Sequence, residues 1–571
     1  MKASVDRIGL LGIPLAAAIA IFPLVLHGPS YGHDFDFHLL NWLEAARQFG
    51  HGTLYPRWAY SPAYNAGEPR FVFYPPLSWV LGALVGLTLT HIPGLSVESA
   101  WAAVPIVYTW ICLTASGFTM YRLARVFASS RAALAASILY LVNPYMLFTA
   151  YERTAYAELL AAAWIPLLLA AMLRERLQAS RIAVVVALLW LTNVPAAVIG
   201  CYAVGMICVI RMLGPEHENS GLSARFLQRA RTLALPTATG ALLGVGLAGF
   251  YFVPAAWEQR FIQVSMAVIA EMRIDHNFLF EHTGTSPDSR AHDAVLRTAS
   301  WIAVALLIAS VILILDCWKR QRRERDDYTR PLPIQPLLWL LAIAGFLLTS
   351  ASEPIWGHAP ELAFLQFPWR LLALIAPIFA LCAAVALTRR SLNRWTVSLF
   401  VCIIAISLTG ITYKQFHQIS DPDETVSARL HAFQHGQGFD PTDEYTPQTA
   451  DNDSLESHTP AYWLARDVLA PAPISTAGIT PKHFSVITSR PQYLILNLRD
   501  YPAWSIEVNG RLNTERMRRA DGRIALPVAA GTNKIDIEYR RMSDESVGDI
   551  LTLGAVVIVG VLQHRRRLLR T

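Results

Sequence analysis

Pro75-Pro76-Leu77-Ser78-Trp79-Val80-Leu81-Gly82-Ala83-Leu84-Val85-Gly86-Leu87-Thr88-Leu89-Thr90 carries no charge, and whether it crosses a bilayer decides the topology of the whole chain. If it spans, the basic loop holding Arg122, Arg125 and Arg131 falls opposite the N-terminus, and every later basic loop inverts with it. If it does not, the basic segments 122–131, 174–181, 211–231, 319–330, 389–394 and 564–571 all share the side of Lys2 and Arg7. Lys and Arg gather on the cytoplasmic side of membrane proteins. The stretch is therefore read as a non-spanning helix, which leaves both termini cytoplasmic.

Working outward, apolar spans read at 8–26, 100–121, 132–149, 155–173, 182–194, 195–210, 233–253, 298–317, 335–350, 367–387, 395–412 and 548–563. About 20 apolar residues cross a bilayer as a helix. The run 182–213 is too long for one crossing, and Asn193 with Pro195 divides it into a hairpin. The fold class is a polytopic α-helical membrane protein of about 12 spans. Composition agrees: of 571 residues 54% are hydrophobic and 16% charged, against about 25% charged in soluble chains. Mean hydropathy is +0.35. These values exclude a soluble enzyme and a single-span receptor.

The net charge of +6 follows from the basic loops. No basic stripe interleaves with aromatics as single-strand nucleic-acid binding requires, so no nucleic-acid partner is expected. The six cysteines lie in or beside apolar spans, which reads as small buried hydrophobes rather than a disulfide or metal framework. No GxxxxGK[ST], HExxH, GxSxG or CxxC is present, so ATP-driven transport within this chain is not expected.

Two outer regions are large. The first, 27–99, carries a helical pattern at 37–49 with Leu39, Trp42, Leu43, Ala46 and Phe49 on one stripe and Asn41, Glu44 and Gln48 opposite. This predicts a helix lying in the membrane interface. The second begins at 413. Residues 413–484 read as an irregular acidic linker, and 485–547 as an antiparallel β domain from the alternation of Leu494, Leu496, Leu498, then Trp504, Ile506, Val508, closed by Asn509-Gly510. The chain thus divides into a membrane module 1–412, the linker, the β domain and a final span with a basic tail at 548–571.

Candidate chemistry clusters at the outer rim. His33-Asp34-Phe35-Asp36-Phe37-His38 can deprotonate a nucleophile or hold a divalent cation. In an extended segment Asp34, Asp36 and His38 would point the same way; alternatively one Asp caps the helix that follows. Arg57 and Arg70, in Tyr55-Pro56-Arg57-Trp58 and Gly67-Glu68-Pro69-Arg70, suit phosphate recognition or snorkelling to headgroups. Glu158 lies one turn inside an apolar helix, where a carboxylate is costly and marks function unless it pairs with Arg153. Gln366-Phe367-Pro368-Trp369-Arg370 opens another span, with Arg370 placed for a lipid-linked phosphate or for snorkelling.

These residues resemble the GT-C superfamily of membrane glycosyltransferases. More narrowly, the His33–His38 string, Tyr55–Trp58, Tyr74-Pro75-Pro76-Leu77, Asn143-Pro144-Tyr145, Arg153 with Glu158, Phe252-Val253-Pro254-Ala255 and Gln366–Arg370 resemble the membrane family labelled "6-pyruvoyl-tetrahydropterin synthase-related". The zinc site of a soluble pterin synthase is not matched. The resemblance implies inverting transfer of a sugar from a polyprenyl-phosphate donor to a glycan, lipid or protein acceptor, on the outer face of a bacterial inner membrane. It implies Asp34 as base or metal carboxylate, Asp36 as its partner and Glu158 as the acid of the second outer loop. Arg57, Arg70, Tyr74, Arg153, Gln366, Trp369 and Arg370 would then hold the lipid phosphate, and no nucleotide is needed because a carrier-linked donor arrives already energised. The resemblance leaves metal use open, between a divalent cation (Mg or Mn) on Asp34, Asp36 and His38 and no metal at all, because this string is richer in His than the superfamily's usual acidic pair. Competing readings are a flippase for lipid-linked saccharides and a non-catalytic glycan-binding assembly protein.

Overall fold

The computed structural model describes residues 7–214, 222–268, 272–323, 330–359, 361–388 and 394–568. Lys2, the C-terminal Thr571 and parts of the basic loops 211–231, 319–330 and 389–394 lie outside the described residues. The chain is a multi-pass helical membrane protein. Among the described residues seven helices are long and apolar enough to cross a membrane: Val97–Ala124, Ser130–Tyr151, Val194–Leu213, Pro287–Arg322, Pro368–Thr388, Thr396–Phe416 and Ser543–Arg565. The count is nine if each of two bent pairs is one span, Phe226–Leu247 with Gly249–Phe261 (77°) and Ile334–Leu347 with Ser350–His358 (96°). Shorter apolar helices, Gly12–His27, Tyr156–Met172 and Ala179–Trp190, fall on the other three expected spans.

Local chemistry sets the helix starts. Asn193 accepts from the Ala196 amide at 2.9 Å and Pro195 occupies the first turn, so the 182–213 run breaks where an amide side chain and an imino acid favour a new N-terminus. Ser96, Ser129 and Asn143 cap in the same way.

Helix Pro76–Thr90 has 15 residues, roughly 22 Å at 1.5 Å per residue, which is short for a hydrocarbon core of about 30 Å. It runs back alongside the first half of Val97–Ala124. Gly86 abuts Trp101, and Tyr108 donates to Ser78 at 3.2 Å. Its Leu77 amide donates to Leu191 O at the turn of the 179–213 hairpin, at 2.8 Å. Gly82 leaves room for the Trp42 indole, which a Cβ would meet at 2.2 Å.

The loop helix spans Phe35–Gly50, and here the structure corrects the one-sided interfacial pattern. Asn41, Glu44 and Gln48 are buried, not exposed. Glu44 accepts from Ser61 Oγ at 2.9 Å and Gln48 Nε2 at 2.9 Å, and Gln48 also donates to Trp58 O at 2.8 Å. Asn41 accepts from Arg70 at 3.0 Å. The polar stripe is the seat on which residues 57–70 fold, while the apolar stripe packs on Trp79 and Tyr108.

The β domain is a sandwich of two antiparallel sheets. Strands are β1 (Tyr462–Ala465), β2 (His483–Thr488), β3 (Gln492–Arg499), β4 (Trp504–Val508), β5 (Arg511–Leu512), β6 (Arg523–Val528) and β7 (Gly531–Tyr539). The sheets have the orders β1-β3-β6 and β2-β7-β4-β5. The domain therefore begins upstream of 485, because Tyr462–Ala465 pairs with Leu496–Tyr493. Nor is the preceding stretch loose. It contains helix Val426–Gln434, and the Phe439 amide donates to Ser61 O at 3.0 Å while Tyr64 N donates to Phe439 O at 2.9 Å. Ala63, Tyr64 and Asn65 all hold positive φ (52°, 51° and 69°), a costly run fixed between this stretch and β3, whose Asn497 donates to Tyr64 O at 3.0 Å. Trp58 inserts into the sandwich core beside Trp504 and Tyr501.

Candidate active site

The loop after helix Gly12–His27 and the loop after Tyr151 meet at Gly32 and Asp34. Ser30 Oγ donates to Tyr151 O at 2.6 Å and the Asp34 amide to Arg153 O at 3.0 Å. A Cβ at Gly32 would lie 2.1 Å from Glu152 O, so only glycine admits this approach. Asp34 stands at the N-cap position of the loop helix, yet its side chain makes no capping bond. Its carboxylate instead accepts from His33 Nδ1 at 2.7 Å and pairs with Arg153 Nη2 at 3.3 Å.

Arg153 continues the chain of charges inward. Its Nη1 donates to Glu158 Oε2 at 2.8 Å, and Arg370 Nε reaches the same oxygen at 3.2 Å. Tyr145 donates its hydroxyl to Glu158 Oε1. Arg370 also donates to Leu365 O at 2.7 Å and Gln366 Oε1 at 3.4 Å. Phe367 and Trp369 stack on each other and cover both guanidiniums: Arg153 lies 4.9 Å from the Trp369 ring, and Arg370 4.9 Å from Phe367. The result is two carboxylates and two guanidiniums, formally neutral, in a partly desolvated place where pairing is strongest and an unpaired charge most costly.

Burial alone would raise the Asp34 pKa, but Arg153 and, after it, His33 outweigh burial and hold the carboxyl well below the usual range. Asp34 is thus an anion whose proton affinity is weakest while Arg153 holds it. Burial pushes the Tyr74 hydroxyl far up, helped by Asp34, so Tyr74 stays a neutral donor beside the cluster. His38 is enclosed by Phe37, Trp42, Tyr74 and Tyr156, and this burial lowers its pKa to about 4.

The other candidates fall elsewhere. Because the helix starts at Phe35, Asp36 turns away from Asp34 and His38 and ion-pairs with Arg429 of the linker; burial raises its pKa against that partner. Asp34, Asp36 and His38 therefore do not form one ligand set, and among the described residues no group of three or more His, Cys, Asp or Glu converges on a metal position. Arg70 spends its donors on Glu68 (2.7 Å), Asn41 (3.0 Å) and Thr442 (2.5 Å), locking loop to linker. Arg57 pairs with Glu545 at 3.1 Å at the start of the last helix. Neither joins the Asp34 cluster. Gln366 donates to Ala267 O at 2.9 Å and shapes the Arg370 side.

A cavity of 520 Å³ opens beside the cluster, with His33, Arg153, Asp288, His292, Trp369 and Gln418 in its wall. Tyr145 joins the cluster with no signal beyond its place in Asn143-Pro144-Tyr145. Arg429 and Thr442, which draw Asp36 and Arg70 away from it, lie some 370–390 residues from those partners, with no local signal.

No family model matches the chain, so the narrower resemblance is not shown, and no curated protein matches it. Solved structures give weak likenesses. The arabinofuranosyltransferase AftD from Mycobacteria is 16% identical with a TM-score of 0.43, covering 72% of this chain and 27% of that one. The Archaeoglobus fulgidus oligosaccharyltransferase is 15% identical with a TM-score of 0.43, covering 78% and 62%; a form tethered to an acceptor peptide gives 15% and 0.42, covering 77% and 60%. The chain thus spans less than two thirds of these proteins' own lengths, and likeness at this level identifies neither activity nor substrate. Both are glycosyltransferases by name.

Proposed function

We propose that the protein is a membrane glycosyltransferase that moves a sugar from a polyprenyl-phosphate donor to an acceptor hydroxyl on the extracytoplasmic face, with inversion. The observation that carries this reading is Arg153 held between Asp34 and Glu158 at the meeting of two outer loops. A phosphate entering the adjacent cavity competes with Asp34 for the Arg153 guanidinium, since Arg pairs as readily with phosphate as with carboxylate. The Asp34–Arg153 pair, at 3.3 Å and part-exposed, is the weakest link of the cluster. Its release frees the Asp34 carboxylate and raises its proton affinity, as loss of a nearby cation must.

The step then balances simply. The acceptor oxygen forms a bond to the anomeric carbon, its proton passes to Asp34, and the bond from that carbon to the phosphate oxygen breaks with its electron pair on the phosphate. Arg153 stabilises the phosphate as charge develops. Glu158 fixes the position of both Arg153 and Arg370, and Tyr74 donates at the rim. The residues at Asp34 do not fit a divalent cation, because Asp36 is taken by Arg429.

Twelve spans, cytoplasmic termini and a bacterial inner membrane complete the proposal, supported by the basic loops and by a helix at each expected span. The two bent helix pairs favour a second reading, a flippase, since broken helices accompany substrate passage in transporters. One experiment separates them: purified protein in liposomes with radiolabelled polyprenyl-phosphate sugars. Label moving into an acceptor supports transfer, and intact donor appearing on the other leaflet supports the flippase.

A further inference from the structure

A larger groove, 1420 Å³, opens at the opposite end of the loop helix. That helix has 16 residues, so the groove lies roughly 20 Å from Asp34 at 1.5 Å per residue. One wall is the outer face of the four-stranded sheet. Alternation along β4 and β7 sends Trp504, Ile506, Ile535 and Ile537 into the core and leaves Ser505, Glu507, Asp536 and Glu538 facing the groove.

The lining charges cancel. Five cationic side chains, among them Lys482 and Arg540, face five carboxylates, among them Asp536 and Glu538. Most are already paired: Arg540 with Glu538 at 3.0 Å and Glu507 at 3.3 Å, Arg57 with Glu545 at 3.1 Å, and Arg541 with Asp549 at 2.5 Å. A charged ligand would have to break these pairs and would find no net field to attract it. Yet five buried polar atoms of the lining, Tyr55 Oη, Arg57 Nη1, Trp58 Nε1, Ser505 Oγ and Tyr539 Oη, have no hydrogen-bond partner among the described residues. Three are hydroxyls, able both to donate and to accept, and buried unpaired groups of this kind are few in folded proteins.

We infer that this groove holds an uncharged oligosaccharide. Dense hydroxyls satisfy groups that both donate and accept, and a sugar C–H face lies against Tyr60, whose ring offers apolar area beside a polar edge. Its distance from Asp34 makes it a subsite for the distal part of a long acceptor, not for the reacting sugar. The acceptor role rests on the transferase reading; the binding does not.

The test uses the full chain in lipid nanodiscs, with binding read by saturation-transfer NMR and calorimetry. The probes are maltohexaose, mannohexaose and the anionic hyaluronan hexasaccharide. A neutral hexasaccharide should bind at millimolar concentration, and Asp536→Ala with Glu538→Ala should weaken it about tenfold, or about 1.4 kcal/mol. Lys482→Ala gives a second, single-site check on the same wall. Asp34→Asn should bind as wild type while losing transfer. Absence of neutral binding, preference for hyaluronan, or affinity untouched by both groove variants overturns the inference. Binding without transfer under any donor leaves the groove standing and removes the transferase reading; transfer without hexasaccharide binding does the reverse.

Discussion

Arg153 and Arg370 converge on one oxygen of Glu158, at 2.8 and 3.2 Å. Two guanidiniums from segments more than 200 residues apart are held together only because a carboxylate lies between them. Glu158→Gln should therefore destabilise the protein by about 3 to 5 kcal/mol, the usual cost of stripping a buried pair of one partner. Thermal unfolding in detergent reads this out. Adding Arg370→Met should recover part of the loss, whereas an unchanged Tm for Glu158→Gln would show the cluster to be well hydrated.

The buried His38 predicts an acid-sensitive fold. Its folded pKa of about 4 lies below the unfolded value of 6.5, so between these values the unfolded chain binds the extra proton. Its contribution is complete above pH 6.5 and falls away as pH drops toward 4. Unfolding temperature measured from pH 7 to 4.5 should decline for wild type. His38→Phe, which keeps the aromatic packing, should flatten that decline.

Close helix contact makes Gly82 sensitive to size. A Cβ there meets Trp42 at 2.2 Å, so Gly82→Val should cost about 1 to 3 kcal/mol through overpacking. Gly410, with nothing within 4 Å of its Cβ position, should tolerate Ala with little change in Tm. Equal effects at the two sites would contradict the packing described.

Labelling tests the non-spanning helix. Leu54 and Ile92, before and after Pro76–Thr90, are both exposed. In a cysteine-free background, cysteines placed at 54 and 92 should react with membrane-impermeant maleimide from the same side. Opposite-side labelling would make the helix a span and invert the loops that follow.

Much of this architecture was legible because it depends on local properties. Apolar run length located the helices, Asn193 and Pro195 marked the hairpin, and alternating Leu494–Leu498 and Trp504–Val508 announced strands. Asp34, Arg153, Glu158 and Arg370 were each conspicuous as charges at an apolar boundary. What stayed illegible was pairing over distance. Asn41, Glu44 and Gln48 looked solvent-facing because the pattern cannot show that residues 57–70 fold onto them. Arg57 and Arg70 looked like phosphate ligands because their partners, Glu545 and Thr442, are remote in sequence. Asp36 looked like a partner of Asp34 only if the segment was extended, and the helix starting at Phe35 turns it toward Arg429 instead.

The most direct test of the account is the turnover of Asp34→Asn. It would be measured as radiolabelled sugar transferred from polyprenyl-phosphate donors by protein in lipid, with insertion and Tm matched to wild type. The account predicts loss of transfer by at least about a hundredfold, the usual contribution of a positioned base, with donor binding retained because Arg153 is freed for phosphate. Transfer at the wild-type rate by a correctly folded Asp34→Asn protein would contradict it.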